Sequence, residues 1–146
     1  MKNNSKETLS KIGLVSTPWP LFKRPSVQLG TLKAYLQARL PELQIEAFHF
    51  YLSLAQAIGY HVYHEISERT WLAESVYAAL LHPERTAAIE SLFRRKATGR
   101  PMLKDLDFKA MIAKVEAVSQ EFIAAVSWER VLLAGFSLCL CQLTAV

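Results

Sequence analysis

Within about 38 residues near the N-terminus, the chain sets out a strand, a helix and a second strand, the length of one βαβ unit. The first run, Ile12-Gly13-Leu14-Val15-Ser16-Thr17, is apolar and stops at Pro18-Trp19-Pro20, as suits a buried strand of a parallel sheet. Pro18, Pro20 and Pro25 hold 18–25 in a loop, because residues that precede proline avoid helical geometry. A helix over about 26–40 follows, with Ser26 as a cap or Pro25 in its first turn. Val27, Leu29, Leu32, Leu36 and Leu40 form its apolar side, and Pro41 stops it. Gly30 costs that helix about 1 kcal/mol relative to alanine, and close packing against the sheet is the expected compensation. Leu43 to Phe50 alternates with period two, which predicts a second strand over about 44–50. The crossover between the two strands is expected to be right-handed.

From Leu52 to about Val126 the pattern turns helical. Helices are predicted over about 52–60, 68–81, 84–96 and 106–126, punctuated by Gly59, Pro83 and the breaker run Thr98-Gly99-Arg100-Pro101. The last carries an apolar stripe, Phe108, Met111, Ile112, Val115, Val118, Phe122, Ile123 and Val126, which reads as core packing. Arg130 to Ser137 then returns to the pattern of a fully buried strand, expected over about 130–136, with Leu133 inward whichever face it takes. The fold class is therefore α/β: an incomplete Rossmann-like parallel sheet in the order 2-1-3 with a helical insertion over about 52–126. Open parallel sheets usually carry about four to six strands with helices on both faces, and three are legible here. Residues 1–11 read as a flexible leader and 12–146 as a partial domain, the front part of a larger protein.

Size and charge remove several classes of function. A chain of 146 residues suits one domain and needs no disulfide or metal staple. Seventeen basic against 13 acidic residues is too thin and too diffuse an excess for nucleic acid. Arg94, Arg95 and Lys96 cluster, but read as a solvated helix end. No apolar run reaches bilayer length, and the polar segment Met1 to Lys11 is no signal peptide, so no membrane role and a cytoplasmic address are expected. Cys139 and Cys141 fit neither a CxxC redox pair nor a zinc knuckle and read as free thiols.

Ligands of open α/β sheets bind outside the carboxyl ends of the strands, where strand order reverses. The loops Thr17 to Ser26 and Ser137 to Thr144 meet that rule. Both offer hydroxyls and backbone amides, and the first adds Trp19 and Phe22 as flat apolar surfaces, although Trp19 could instead simply cover the sheet edge. Neither GxGxxG nor GxxxxGK[ST] follows the first strand, which argues against the common nucleotides. His61 and His64 with Glu65 could be drawn as a metal site, but Tyr60 and Tyr63 interleave with them and surface or interfacial histidines are the plainer reading. His49 ends the second strand, where it could look into the same cleft as Thr17. His82 and the pair Asp105 and Asp107 read as helix-end residues. No catalytic residue and no metal ligand is assigned.

Val15-Ser16-Thr17-Pro18-Trp19, followed by Arg24-Pro25-Ser26-Val27-Gln28-Leu29-Gly30-Thr31-Leu32, resembles the opening of cobalamin-dependent radical S-adenosylmethionine enzymes. The likeness continues through Tyr51-Leu52-Ser53-Leu54-Ala55, Ile58-Gly59-Tyr60, Tyr63-His64-Glu65-Ile66, Glu74-Ser75-Val76-Tyr77-Ala78 and Gly135-Phe136-Ser137-Leu138 into Cys141-Gln142-Leu143-Thr144-Ala145. The closest group is similar to the C-methyltransferases that mature ribosomally synthesised peptides. The resemblance implies a cobalamin-binding domain, with Thr17, Trp19, Ser26, Ser137 and Gln142 as cofactor contacts. It places S-adenosylmethionine and a 4Fe–4S cluster in a following radical domain, whose CxxxCxxC this chain does not contain, so the chain alone is not expected to be catalytic. The DxHxxG signature of axial histidine ligation is also missing. Implied partners are the peptide substrate of the parent enzyme and a second copy or a C-terminal portion covering the third strand. The alternative is a non-enzymatic accessory protein that pairs through an exposed sheet edge.

Overall fold

The computed structural model describes residues 11–138. Three strands, β1 (Lys11–Ser16), β2 (Gln44–His49) and β3 (Val131–Ser137), form one parallel sheet in the order β2-β1-β3. The α/β class and the 2-1-3 order expected from the strand-helix-strand spacing are both present. Helix α1 (Val27–Arg39) begins where the Ser26 side chain accepts from the Leu29 amide at 3.3 Å and ends at Leu40, one residue before Pro41. It buries Leu29 against Ile12, Leu14 and Ile45, with Leu36 and Leu40 at the margin.

The insertion holds six helices: α2 (Phe50–Ile58), α3 (Tyr60–Ser67), α4 (Thr70–Leu81), α5 (Thr86–Lys96), α6 (Pro101–Lys104) and α7 (Phe108–Ala125). Short 3-10 turns at Pro83–Arg85 and Trp128–Arg130 link them to their neighbours. The helix expected over 52–60 ends at Ile58, and a further helix, α3, takes Tyr60 and the stretch 61–67 for which no element is predicted. Gly59 takes φ +92 between α2 and α3, a conformation that side chains rarely adopt, and so lets two helices follow with one residue between them. Asp107 caps α7 by accepting from the Ala110 amide at 3.0 Å. The helices share their own core around Leu54, Tyr63, Ile66, Leu72, Val76, Phe93, Leu103, Phe108 and Val115.

Several expectations need correction. Gly30 does not pack against the sheet: it is exposed, and a Cβ there would meet nothing within 4 Å. The reason is angular, since the buried side of α1 is set by Leu29 and the next residue is turned some 100° away. Val27 and Leu32 are likewise exposed. Gly30→Ala is therefore expected to stabilise the chain by about 0.5–1 kcal/mol, read as a raised urea midpoint with unchanged slope.

The third strand is not buried on both faces. Leu133 is 62% exposed on the face that α1 only partly covers, Leu132 and Phe136 are exposed on the face toward the insertion, and β3 pairs with β1 alone among the described residues. The stripe of α7 divides: Phe108, Met111, Ile112 and Val115 are core, whereas Ile123 is exposed. Arg95 and Lys96 are exposed in the last turn of α5, as a solvated helix end is, but Arg94 is engaged. Its guanidinium donates to the carbonyls of Leu103 and Leu106 and to Glu90, tying α5 to the turn before α7.

Candidate functional site at the carboxyl edge of the sheet

Strand order reverses between β1 and β3, and the loop 17–26 leaves β1 there. The Thr17 hydroxyl donates to the Ser137 carbonyl at 3.1 Å, joining the ends of the two strands. Beside this junction a cleft of about 260 Å³ is lined by Ser16, Arg24, Ser26, Gln28, Tyr51, Ser137 and Leu138, with Pro20, Leu21 and Pro25. Ser26 and Ser137 line this cleft, whereas Thr17 does not and is tied to it only through the Ser137 carbonyl. Gln142 lies outside the described residues, as do Cys139 and Cys141.

Trp19 is placed elsewhere. Its ring is 2% exposed and turned into the helical core, tilted on Tyr63 at 5.1 Å and edge-on to Tyr77 at 6.4 Å. Its amide donates to the Tyr63 hydroxyl at 2.7 Å, and that hydroxyl donates to the Pro20 carbonyl at 3.0 Å. Trp19 also holds φ +83, a conformation that is strained for a bulky residue. The loop is therefore fastened by a tyrosine of α3, and Trp19 presents no flat surface to the cleft. Phe22 is only partly buried, and it packs on Tyr60 at 5.0 Å.

The histidines do not enter the cleft. His49 is exposed at the end of β2, its ring 5.9 Å from Tyr51, which does line the cleft. His61 is exposed, and His64 lies 3.5 Å from Glu68. Glu65 and Glu68 instead pair with Arg100 at 2.9 and 2.5 Å, which holds the Glu68 carboxyl below its ordinary range. Among the described residues no group of three His, Cys, Asp or Glu side chains is placed to hold a metal ion. No described helix is long and apolar enough to cross a membrane.

Arg24, Gln28 and Tyr51 are cleft residues that sequence reasoning did not single out. The signal was available for Gln28: a helix capped at Ser26 aims its first turn at the edge of the sheet. Tyr51 is buried, and burial pushes its phenol above the ordinary range.

A second hollow, of about 360 Å³, lies on the opposite side of Thr17, between the sheet and α4 and α7. Val15, Thr17 and Phe136 form its sheet side, and Phe50, Tyr77, Leu80, Leu81, Ser119, Phe122, Ile123 and Trp128 form the rest. Phe50 and Phe122 stack at 4.6 Å. No family model matches the chain, and no curated protein or solved structure does either.

Proposed function

We propose that this chain is the cobalamin-binding module of a radical S-adenosylmethionine peptide methyltransferase, without catalysis of its own. The observation that supports the reading is the polar cleft at the strand-order reversal, the position where open α/β sheets hold their ligands. Its donor set suits the amide periphery of a corrin: Ser16, Ser26 and Ser137 carry hydroxyls, Gln28 an amide and Arg24 a cation. A cleft of about 260 Å³ takes an edge of such a ring and leaves most of it outside. Thr17 acts as a positioning residue, since it holds the Ser137 carbonyl. When bound, the corrinoid would supply a cobalt-carried methyl group. The reading also carries a cytoplasmic address, a peptide substrate and an iron–sulfur cluster with S-adenosylmethionine in a separate domain.

Titrating the full chain with hydroxocobalamin, followed by its visible spectrum, is the test. A saturable change is expected, weakened about tenfold or more by Gln28→Trp, an exposed position whose substitution fills the cleft without touching the core. Absence of saturation up to millimolar chain, or indifference to Gln28→Trp, would reject the reading.

A second reading, an accessory protein pairing through its sheet edge, is favoured by one observation. The outer edge of β3 has no partner among the described residues, and Leu132, Leu133, Phe136 and Leu138 are exposed along it. Self-association at high micromolar concentration is then expected. Leu133→Lys should abolish it while shifting stability by less than about 1 kcal/mol, as a substitution at an exposed position does. Light scattering that finds wild-type chain monomeric at that concentration counts against edge pairing.

A further inference from the structure

We infer that the apolar hollow behind Thr17 is a second binding site, for a small neutral aromatic ring that carries one hydrogen-bond donor, of the indole type. The inference goes beyond the cobalamin reading and does not depend on it. Protein interiors hold few voids larger than a water molecule, and an apolar cavity of about 150 Å³ is enough to take up benzene. A hollow of about 360 Å³ has room for a bicyclic ring. Its walls are chosen for flatness: Phe50, Phe122, Trp128 and Phe136 supply ring surface, with Phe122 stacked on Phe50. Leu81, Ile123 and Phe136, all exposed, line its open side.

The hydroxyls define the polar half of the ligand. Ser119 donates to the Val115 carbonyl at 2.7 Å, so its proton is committed. The Tyr77 hydroxyl, 3.4 Å from Ser119 Oγ, turns its own proton toward that oxygen. The Tyr77 oxygen then retains a lone pair and accepts, so the complementary ligand group is an N–H or O–H donor. The Thr17 proton is already given to Ser137. Among the described residues no charged side chain lines the hollow, which suits a neutral ligand.

Isothermal titration of the full chain with indole and with 1-methylindole, which has the ring and lacks the donor, tests the site. Saturable indole binding is expected, with 1-methylindole about tenfold weaker. Leu81→Trp should block both probes, since it fills the mouth from an exposed position. Tyr77→Phe should bring the two probes to equal affinity; circular dichroism checks that this variant is folded, and Leu81→Trp keeps the test decisive if it is not. No saturable indole binding, equal wild-type affinity for the two probes, or binding indifferent to Leu81→Trp overturns the inference. So does a self-associated chain that shields Leu81 and Ile123 and excludes indole. Neither probe contains a corrin, so failure here leaves the hydroxocobalamin result to stand or fall separately.

Discussion

Trp19→Ala is expected to lower the stability of the chain by about 3–5 kcal/mol, the usual cost of emptying a buried aromatic site. Single domains are stable by only about 5–15 kcal/mol, so the loss is a large share of the total and the urea midpoint of the variant should fall markedly. The size of the loss follows from where the ring sits. It is packed on Tyr63 and Tyr77 in the core of the insertion, although its backbone belongs to the loop that leaves β1. Removing the ring detaches the sheet loop from the helical layer as well as leaving a cavity. A second variant isolates the backbone contribution. At φ +83 glycine is unstrained and alanine is not, so Trp19→Gly should be more stable than Trp19→Ala, the reverse of their order at an ordinary loop position. Equilibrium denaturation of both settles it: Trp19→Ala within about 1 kcal/mol of wild type, or less stable glycine, would refute the packing and the strain in turn. Loss of cobalamin retention in Trp19→Ala would accordingly report unfolding of the loop, and Gln28→Trp is the cleaner probe of the cleft.

The contrast between Trp19 and Thr17 explains how far the sequence could be read. Thr17 follows β1 directly, and the strand's register alone carries it to the end of β3, where it meets Ser137. The direction of the Trp19 ring depends on Tyr63, 44 residues away, and on Tyr77, and nothing local to 17–26 encodes either partner. The strands were legible because proline, alternation and apolar runs are local signals. The exposure of β3 was not, since an apolar strand reads the same whether or not another element covers it. Helix α3 was hidden for a related reason: in Tyr60–Ser67 only Tyr63 and Ile66 are buried, and aromatic and histidine residues between them blur the period. Gly30 misled because a glycine's packing role depends on its angular position relative to Leu29. Cleft residues such as Arg24 and Tyr51 reach the site by tertiary placement, beyond any spacing rule.

At alkaline pH the wild-type chain is expected to lose stability that Tyr77→Phe keeps. Burial pushes the Tyr77 phenol from its ordinary 10.0 up to about 12. Between those values the unfolded chain releases the proton while the folded chain holds it, so the unfolded state gains and stability falls as pH rises. The contribution is whole below pH 10 and lost as pH climbs toward 12; two units correspond to about 3 kcal/mol. Tyr51, whose phenol is also raised by burial, adds a slope of the same sign in both proteins and cancels in the comparison. At pH 7 the variant gives up only a weak 3.4 Å hydrogen bond, so the two chains should unfold at similar urea concentrations there. Above pH 10 their midpoints should separate, with Tyr77→Phe the more resistant by a margin that widens up to about pH 11.5. Parallel midpoint curves across that range would mean that the Tyr77 hydroxyl is solvated. They would also remove the dry, proton-accepting wall on which the indole site depends.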